Sequence, residues 1–465
     1  MHIAEKQRRP ELVRELNVWH STAIVAGTII GSGIFLVPKE MTQAVGSAGM
    51  VYLAWIVGGI LSFFGALTYA ELGAVRPFAG GEYVYIRDGY GSLGGFLYAW
   101  TWFLIAKPAS IASVTSGFVR VLGSFAMFRF LPQSLFEWHF APQRVFVVTY
   151  GHLAAIFATV LITALNYAGV RKAGNFQLAL TALKVLMIAG IAVVGFTASS
   201  GTWSNFHTDF LGAKGGMAGF MAALVAALWA YDGWNDLNMV SGEIANPERS
   251  IPVALIAGVS LVAVLYMGMN AAIQYAMPSV AIAQSAVPAA AATQIAVGHW
   301  GATLVAAGMA ISMLVTLNGT IMSGGRVPFA VARDGYFFRA LAEVHPRFHT
   351  PALALAIQAL ISIALLLVGG AFKELFSLAI FAEWLFYMVA AGTIFIFRRR
   401  EATAPRPYRT WGYPVVPALF IAAAAVLLYY TFTDNLKDSI AGTLVIVAGI
   451  PVFYYFKGRK KQMAT

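Results

Sequence analysis

Long apolar runs, rather than short amphipathic segments, dominate the pattern of hydrophobic and polar positions along this chain. A membrane-spanning helix needs about 20 mostly apolar residues, and runs of this length recur from near the N-terminus to near the C-terminus. Their approximate limits are residues 18–42, 49–74, 93–122, 145–167, 177–199, 217–240, 252–276, 296–323, 351–369, 374–397, 414–432 and 439–456. The pattern therefore predicts an all-α membrane protein with about 12 transmembrane helices and little room for a separate soluble domain.

The composition strengthens this prediction. Hydrophobic residues make up 59% of the 465 residues and charged residues make up 11%, whereas soluble proteins carry about 25% charged residues. The chain contains no cysteine, which excludes a disulfide framework, a thiolate metal site and a cysteine nucleophile. The lipid bilayer is therefore the predicted environment of most of the chain.

The net charge of +11 is distributed in the way that is typical of membrane topology. Lys107 and Lys184 fall inside predicted spans, and most other basic residues fall in segments that alternating spans place on one side. The predicted outer side holds only Lys39, Arg120, Arg129, Arg144, Lys214, Lys373 and Lys437. Since basic residues accumulate on the cytoplasmic side, we predict a multi-pass protein of the cell (inner) membrane with both termini in the cytoplasm. The same distribution argues against a nucleic acid partner.

Glycine and polar residues interrupt two of the predicted spans near their middle. The first span contains GTIIGSGIF at residues 27–35, and the sixth contains WAYDGWN at residues 229–235. Gly27 and Gly31 alone would fit a GxxxG helix-packing face. The additional Ser32 and Gly33, together with the matching interruption in span six, favour a break in each helix instead.

Paired interruptions at corresponding places in two halves are typical of transporters that are built from inverted repeats. This reasoning predicts five organisational units. They are a cytoplasmic N-terminal segment (1–16), a first repeat of spans one to five (17–199), a second repeat of spans six to ten (217–397), spans eleven and twelve (410–456) and a cytoplasmic tail (457–465).

A helix that stops and restarts inside a membrane suits a zwitterionic ligand. The restarting half presents free N–H groups and a partial positive charge, and the stopping half presents free carbonyls and a partial negative charge. We therefore predict that Gly31, Ser32 and Gly33 donate N–H groups to a carboxylate. The predicted ammonium acceptors are the main-chain carbonyls of Ile29 and Ile30, together with those of span six around Trp229, Ala230 and Tyr231.

These motifs resemble those of the L-type amino acid transporter branch of the amino acid–polyamine–organocation superfamily. The resemblance rests on the two interruptions and extends along essentially the whole chain. Further matching motifs are EIANPERSIP at 243–252, YAELG at 69–73, GGEY at 80–83, KP at 107–108, LNG at 317–319, RDG at 333–335, RPY at 406–408 and GYP at 412–414.

The resemblance implies a LeuT-like fold with five-plus-five inverted repeats, discontinuous helices 1 and 6 and two further helices. It also implies that spans one, three, six, eight and ten surround an L-amino acid substrate, often exchanged without sodium. Animal relatives pair with a heavy chain through a cysteine after span three. This chain has no cysteine, so it resembles a stand-alone prokaryotic member without a disulfide-linked heavy chain.

Two lysines inside the predicted spans are candidates for coupling or gating. A lysine in mid-span is a functional candidate by default. The resemblance implies that Lys184 lies where sodium-coupled relatives hold a cation, although snorkelling to the nearer helix end would also satisfy it. Lys107 is predicted to approach Asp232 or Glu383, with a water-filled vestibule as the equally weighted alternative.

The remaining candidates in the predicted site have competing interpretations. Asp232 would favour cationic substrates unless Lys107 neutralises it. Trp229 is either a gating aromatic, as the resemblance implies, or a packing residue. Asn235 either lies close to the substrate or only braces the broken helix. Weaker candidates are Tyr231, Ser110, Ser113, Ser323 and Glu383, and Glu71 and Glu82 are expected to have structural or gating roles.

The leading interpretation is a sodium-independent exchanger of neutral L-amino acids that works by alternating access. The alternatives are a proton-coupled symporter, in which Lys184, Glu71 or Glu383 titrates, and a transporter of cationic amino acids. An enzyme is disfavoured, because the sequence offers no nucleophile–base–metal combination and no Walker A motif. We expect no cofactor and no metal, since His345 and His349 lie in a loop that contains Pro346.

Overall fold

The computed structural model describes residues 11–141, 144–368, 372–434 and 436–462. Residues 1–10 and 463–465 of the two predicted cytoplasmic segments lie outside these ranges. The first half of the chain contains α1 (Val18–Ile29), α2 (Gly33–Val45), α3 (Ala48–Val75), α4 (Glu82–Tyr90), α5 (Ser92–Thr101), α6 (Lys107–Leu122), β1 (Ser134–Ala141), β2 (Arg144–Thr149), α7 (Tyr150–Tyr167) and α8 (Val170–Gly195).

The second half of the chain is helical throughout its described elements. It contains α9 (Gly216–Ala230), α10 (Asp236–Met239), α11 (Pro247–Ala276), α12 (Ser279–Gln284), α13 (Pro288–Val297), α14 (Trp300–Gly324), α15 (Arg326–Arg333), α16 (Ala352–Val368), α17 (Phe372–Arg400), α18 (Val415–Asp434) and α19 (Leu436–Gln462). Short 3-10 turns lie between several of these helices.

The predicted fold class of an all-α membrane protein is confirmed. In the described residues, eight helices are long and apolar enough to cross a membrane, or nine when the bent pair α1–α2 counts as one span. The apolar helices α9 and α16 are shorter, and α17 has 29 residues. Together these helices occupy all twelve predicted runs.

The predicted start of span four at residue 145 is wrong. The strands β1 and β2 pair in an antiparallel manner, and the helix begins only at Tyr150. The Thr149 side chain caps this helix by accepting a hydrogen bond from the His152 main-chain N–H. The apolar run at 145–148 is therefore a strand, as its three valines favour.

Three helices outside the predicted spans were also not expected. The helix α4 lies between spans two and three, and α12 and α13 lie between spans seven and eight. Span five also begins earlier than predicted, at Val170 instead of residue 177.

The predicted breaks in spans one and six are confirmed, and they pack against each other. Span one bends by 40° between α1 and α2, and residues 231–235 separate α9 from α10. Gly233 has a φ of +103°, and a Cβ there would lie 2.9 Å from the Thr28 side chain. Glycine is thus required at this point both for the left-handed backbone and for the close approach of the two breaks.

Buried and partly buried ion pairs connect the helices at the end of the molecule where α1 begins. The Arg326 guanidinium donates to both carboxylate oxygens of Glu243 at 2.7 and 2.9 Å, and neither side chain is exposed. Arg398 donates in the same bidentate manner to Glu71 at 2.8 and 2.6 Å. These contacts join α15 to the turn that follows α10, and α17 to α3.

Candidate functional site

The two breaks face a cavity of about 1150 Å³. Small-molecule sites typically occupy about 300–1,000 Å³, so this cavity includes a vestibule beyond the breaks. It reaches Arg120 and Arg129, which are exposed to solvent. Its lining near the breaks comprises Thr28, Ile29, Gly31, Ser32, Gly33, Lys107, Ser110, Ser113, Trp229, Ala230, Asp232, Gly233, Asn235, Asp236, Thr316, Thr320, Glu383 and Tyr387.

Two of the three predicted main-chain donors in span one are free. Ser32 and Gly33 both line the cavity, and no acceptor for their N–H groups occurs among the described residues. Gly31 was predicted as a third donor, but its N–H donates to the Ile29 carbonyl at 2.8 Å. The start of α2 therefore offers a short anion-binding end that is formed by Ser32 and Gly33.

The predicted ammonium acceptors in span one are already largely occupied. The Ile30 carbonyl accepts hydrogen bonds from the Lys184 ammonium at 2.5 Å and from the Ser312 hydroxyl at 2.7 Å. The Ile29 carbonyl accepts from the Tyr266 hydroxyl at 3.2 Å as well as from the Gly31 N–H. A carbonyl oxygen has two lone pairs. Groups of the protein therefore already occupy the acceptor positions that were predicted to bind the substrate ammonium.

Lys184 binds the end of α1 and does not snorkel. Its side chain on α8 is 1% exposed. The ammonium donates to the carbonyls of Gly27 at 2.7 Å and Ile30 at 2.5 Å, with Ser312 at 3.4 Å. This geometry ties span five to the carbonyl-rich end of the broken helix, where a bound cation would satisfy the same oxygens.

Span six contributes only part of what was predicted. Trp229 is 37% exposed and lines the cavity beside Ala230. The Ala230 carbonyl accepts a hydrogen bond from the Tyr266 hydroxyl at 3.0 Å. The Tyr231 side chain was predicted to contribute to the site, but it packs away from the cavity, with its ring centroid 5.6 Å from that of Trp55.

The predicted partner of Lys107 is wrong. The Lys107 ammonium donates to Asp236 at 2.5 Å rather than to Asp232 or Glu383. It also lies 5.0 Å from the Trp102 ring centroid. Asp236 begins α10 directly after the break, so the path of the broken helix brings its carboxylate to span three.

Two acidic side chains therefore face the cavity without a direct basic partner among the described residues. The Asp232 carboxylate accepts a hydrogen bond from the Tyr387 hydroxyl at 3.1 Å. Glu383 lines the same cavity. Since Lys107 is held by Asp236, the lysine expected to offset Asp232 does not contact it.

Asn235 connects this acidic side of the cavity to α4. Its amide donates to Glu82 at 2.6 Å, and its carbonyl oxygen accepts from the Tyr387 hydroxyl at 3.2 Å. Asn235 lines the cavity and is 1% exposed. Since these bonds engage both ends of its side-chain amide, the geometry fits the bracing interpretation better than direct substrate binding.

The weaker candidates separate into two groups. Ser110 and Ser113 line the cavity. Ser323 is buried and donates to the Thr320 carbonyl at 3.1 Å, and it does not line the cavity. Glu71 is paired with Arg398 and is therefore a structural contact at the end of the molecule away from the vestibule.

Sequence reasoning missed Asp236, Tyr266, Tyr387 and Ser312. The missed signal for Asp236 was its position inside a predicted span, because an intramembrane carboxylate marks a functional or paired site. The other three carry ordinary hydroxyl groups, and no sequence pattern distinguishes them from hydroxyl residues that only join helices.

Comparisons with known proteins agree with this architecture. A family model described as "Amino acid permease" matches residues 16–454. The serine/threonine exchanger of Bacillus subtilis (strain 168) is 32% identical over 97% of this chain and 98% of its own length. The human b(0,+)-type amino acid transporter 1 is 30% identical over 97% and 90% of the two chains. The human cystine/glutamate transporter is 29% identical over 97% and 86%.

The family match, the set of membrane-spanning helices and the two packed helix breaks lead to the same conclusion. The matched region includes both breaks and every described span. This chain is a multi-pass membrane protein that belongs to the amino acid permease family.

Proposed function

We propose that this protein is a secondary transporter that exchanges L-amino acids across the cell membrane by alternating access. The observation that carries the proposal is the pair of helix breaks packed against each other and open to one cavity. The free N–H groups of Ser32 and Gly33 line this cavity, together with Trp229 and Ala230 at the end of α9. A bound amino acid would place its carboxylate at α2 and its ammonium toward the α9 end.

The relatives support exchange as the mode of transport. One is named a serine/threonine exchanger, and the others are named amino acid or cystine/glutamate transporters. We propose that exchange needs no sodium, because the Lys184 ammonium occupies the carbonyl oxygens that a coupling cation would bind. The proposed cycle moves the two five-span repeats against each other, with both termini in the cytoplasm.

The substrate class has two candidates. Neutral amino acids remain the leading prediction and agree with the uncharged Ser110 and Ser113 in the lining. Cationic amino acids form the second candidate, and a specific observation favours it. Asp232 and Glu383 face the cavity, whereas the nearby Lys107 is held by Asp236.

Uptake of a panel of radiolabelled amino acids into sodium-free proteoliposomes tests the proposal. The panel includes L-serine, L-leucine, L-arginine and L-glutamate. We expect uptake only into vesicles that contain an unlabelled amino acid. Uptake into empty vesicles that grows with a pH gradient would replace exchange by proton symport, and the absence of uptake from folded protein would reject amino acids as the substrate.

A further inference from the structure

Glu82 is a buried carboxyl group that the proposed exchange does not yet use. It begins α4, outside the membrane-spanning helices, and it is 0% exposed. Among the described residues, no lysine or arginine forms an ion pair with it. Its hydrogen-bond donors are the Asn235 amide at 2.6 Å and the Tyr98 hydroxyl at 3.3 Å.

A continuous series of hydrogen bonds connects this carboxyl group to the candidate substrate site. The Tyr387 hydroxyl contacts Asp232 at 3.1 Å and Asn235 at 3.2 Å, and Asn235 contacts Glu82 at 2.6 Å. The cavity lining reaches Asn235 and Asp236 but does not include Glu82. Glu82 therefore lies just beyond the closed end of the cavity, on the side that carries α4.

The position of Glu82 couples it to opening of that end. The Asn235–Glu82 hydrogen bond joins the break in span six to the start of α4. In the proposed cycle, opening of this side of the cavity would separate the two and expose the carboxyl group to water. A buried carboxylate without a cation is costly, whereas a hydrated one is not, so closure favours the protonated form of Glu82 and opening favours the ionised form.

On the basis of the proposed exchange, we infer that Glu82 is the positioning residue that links opening of the α4 side of the site to pH. The carboxyl group braces the restarted half of span six when that side is closed. Its ionisation in water favours the open form, and its protonation favours the closed form.

The direction of the effect follows from the surroundings of the group. Burial, with a smaller contribution from the nearby Asp236, raises the pKa of Glu82 to about 7, against the opposing effects of the Asn235 hydrogen bond and Lys107. The other titratable groups that face it are the phenols of Tyr69, Tyr85, Tyr98 and Tyr387 and the carboxyl group of Glu383.

Hydration in the open form would return the pKa of Glu82 toward its ordinary value of 4.5. The closed form then binds more protons than the open form at any pH between these two values. Lowering the pH from 8 to 6 therefore shifts the equilibrium toward the closed form by about tenfold, and exchange slows in the same proportion where this opening limits the rate.

Exchange at symmetric pH 6 and pH 8 tests the inference with the amino acid that the panel shows to be exchanged fastest. We expect the wild type to be about tenfold slower at pH 6. The Glu82→Gln variant should be slow at both values, because glutamine resembles the protonated acid. The Asp88→Asn variant, on the exposed face of the same helix, should keep the wild-type profile. A wild type that is insensitive to pH, or a Glu82→Gln variant that keeps the wild-type slope, would overturn the inference.

A second measurement does not require transport. Because the chain has no cysteine, Ser241→Cys reports opening of the α4 side, where Ser241 is buried in the closed form. The rate at which a thiol reagent labels Ser241→Cys is divided by the rate for a Phe338→Cys reference variant, because Phe338 is exposed. In the protein that keeps Glu82, we expect the labelling ratio to rise from pH 6 to pH 8. In the protein that also carries Glu82→Gln, we expect the ratio to stay constant. A constant ratio with Glu82 refutes the link, whether or not amino acids are exchanged.

Discussion

At the residue scale, one buried ammonium stabilises the break in span one. Lys184 donates to two carbonyls that the broken helix leaves without an intrahelical N–H donor. Its hydrogen bonds also explain why Ile30 has no capacity left for the substrate. The N–H groups of Ser32 and Gly33 are thus free at the start of α2, as predicted. At the end of α1, the Lys184 ammonium takes the place that was predicted for the substrate ammonium.

Replacing Lys184 by alanine should reduce exchange at least tenfold. The change removes the charged donor that the buried carbonyls of Gly27 and Ile30 share, and a hydrogen bond to a charged group contributes about 1.5–3 kcal/mol. Exchange rates normalised to the amount of inserted protein measure the effect. Lys172→Ala, at an exposed position on the same helix, serves as the control. Exchange by Lys184→Ala at the control rate would contradict the role.

Replacing Asp232 by asparagine should change which charge the substrate can carry. Asp232 faces the cavity and has no direct basic partner among the described residues. Competition by L-arginine should weaken at least tenfold, which corresponds to loss of about 1.4 kcal/mol. Competition by L-serine should change little. The exposed Asp209→Asn variant controls for charge alone, and an equal loss for both amino acids would show that Asp232 is required for every substrate.

The positions of charged residues could be predicted from the sequence, but their pairing could not. Lys107, Asp232 and Glu383 all lie near the cavity, as expected. Which carboxylate meets Lys107 depends on the rotation of α10 after the break, and a break removes the helical periodicity on which such an inference rests. The partner is consequently Asp236, four residues beyond Asp232, which was one of the two acids predicted.

At the element scale, the two breaks constrain each other. Gly233 approaches Thr28 in span one, while a Cβ at Gly33 would lie 3.2 Å from Ala230 in span six. Each break therefore needs a small residue where the other passes. The glycine and polar residues in the two spans predicted both interruptions, and the structure adds that a side chain at Gly33 or Gly233 would meet the other break.

Replacing Gly233 by alanine should disrupt the site from within the break. A φ of +103° is unfavourable for alanine, by about 1–2 kcal/mol, and the added methyl group would meet Thr28. We expect lower thermal stability in detergent and at least tenfold slower exchange. Gly268→Ala is the matched control, because its Cβ has no neighbour within 4 Å. Equal thermal stability and equal exchange rates of the two variants would show that the breaks in spans one and six can move apart without loss of function.

Local departures from regular helix were harder to predict than the breaks. Span three contains a π-helical turn at Trp102–Ala106 immediately before Lys107 and Pro108. Proline provides no N–H for the helix, so the disturbance had a visible cause, but its form depends on neighbouring spans. The pair of strands β1 and β2 was missed because a short apolar run does not distinguish a strand from a helix.

At the scale of the whole molecule, the described residues form a cavity that is open toward Arg120 and closed toward α4. Buried ion pairs, including Arg326 with Glu243, join the helices at the closed end. Hydropathy predicted the number of spans and the family resemblance implied their arrangement. The sequence could not show which side is closed, because closure depends on contacts between segments that are distant along the chain.

Competition by substrate derivatives during exchange tests most directly whether the helix breaks bind the two charged ends of an amino acid. The measurement compares the preferred amino acid with its carboxamide and its N-acetyl derivative in sodium-free proteoliposomes. We predict that each derivative competes at least tenfold less well, because the N–H groups of Ser32 and Gly33 require a carboxylate and the opposite side of the cavity requires an ammonium. A derivative that competes as well as the amino acid itself would contradict this binding mode.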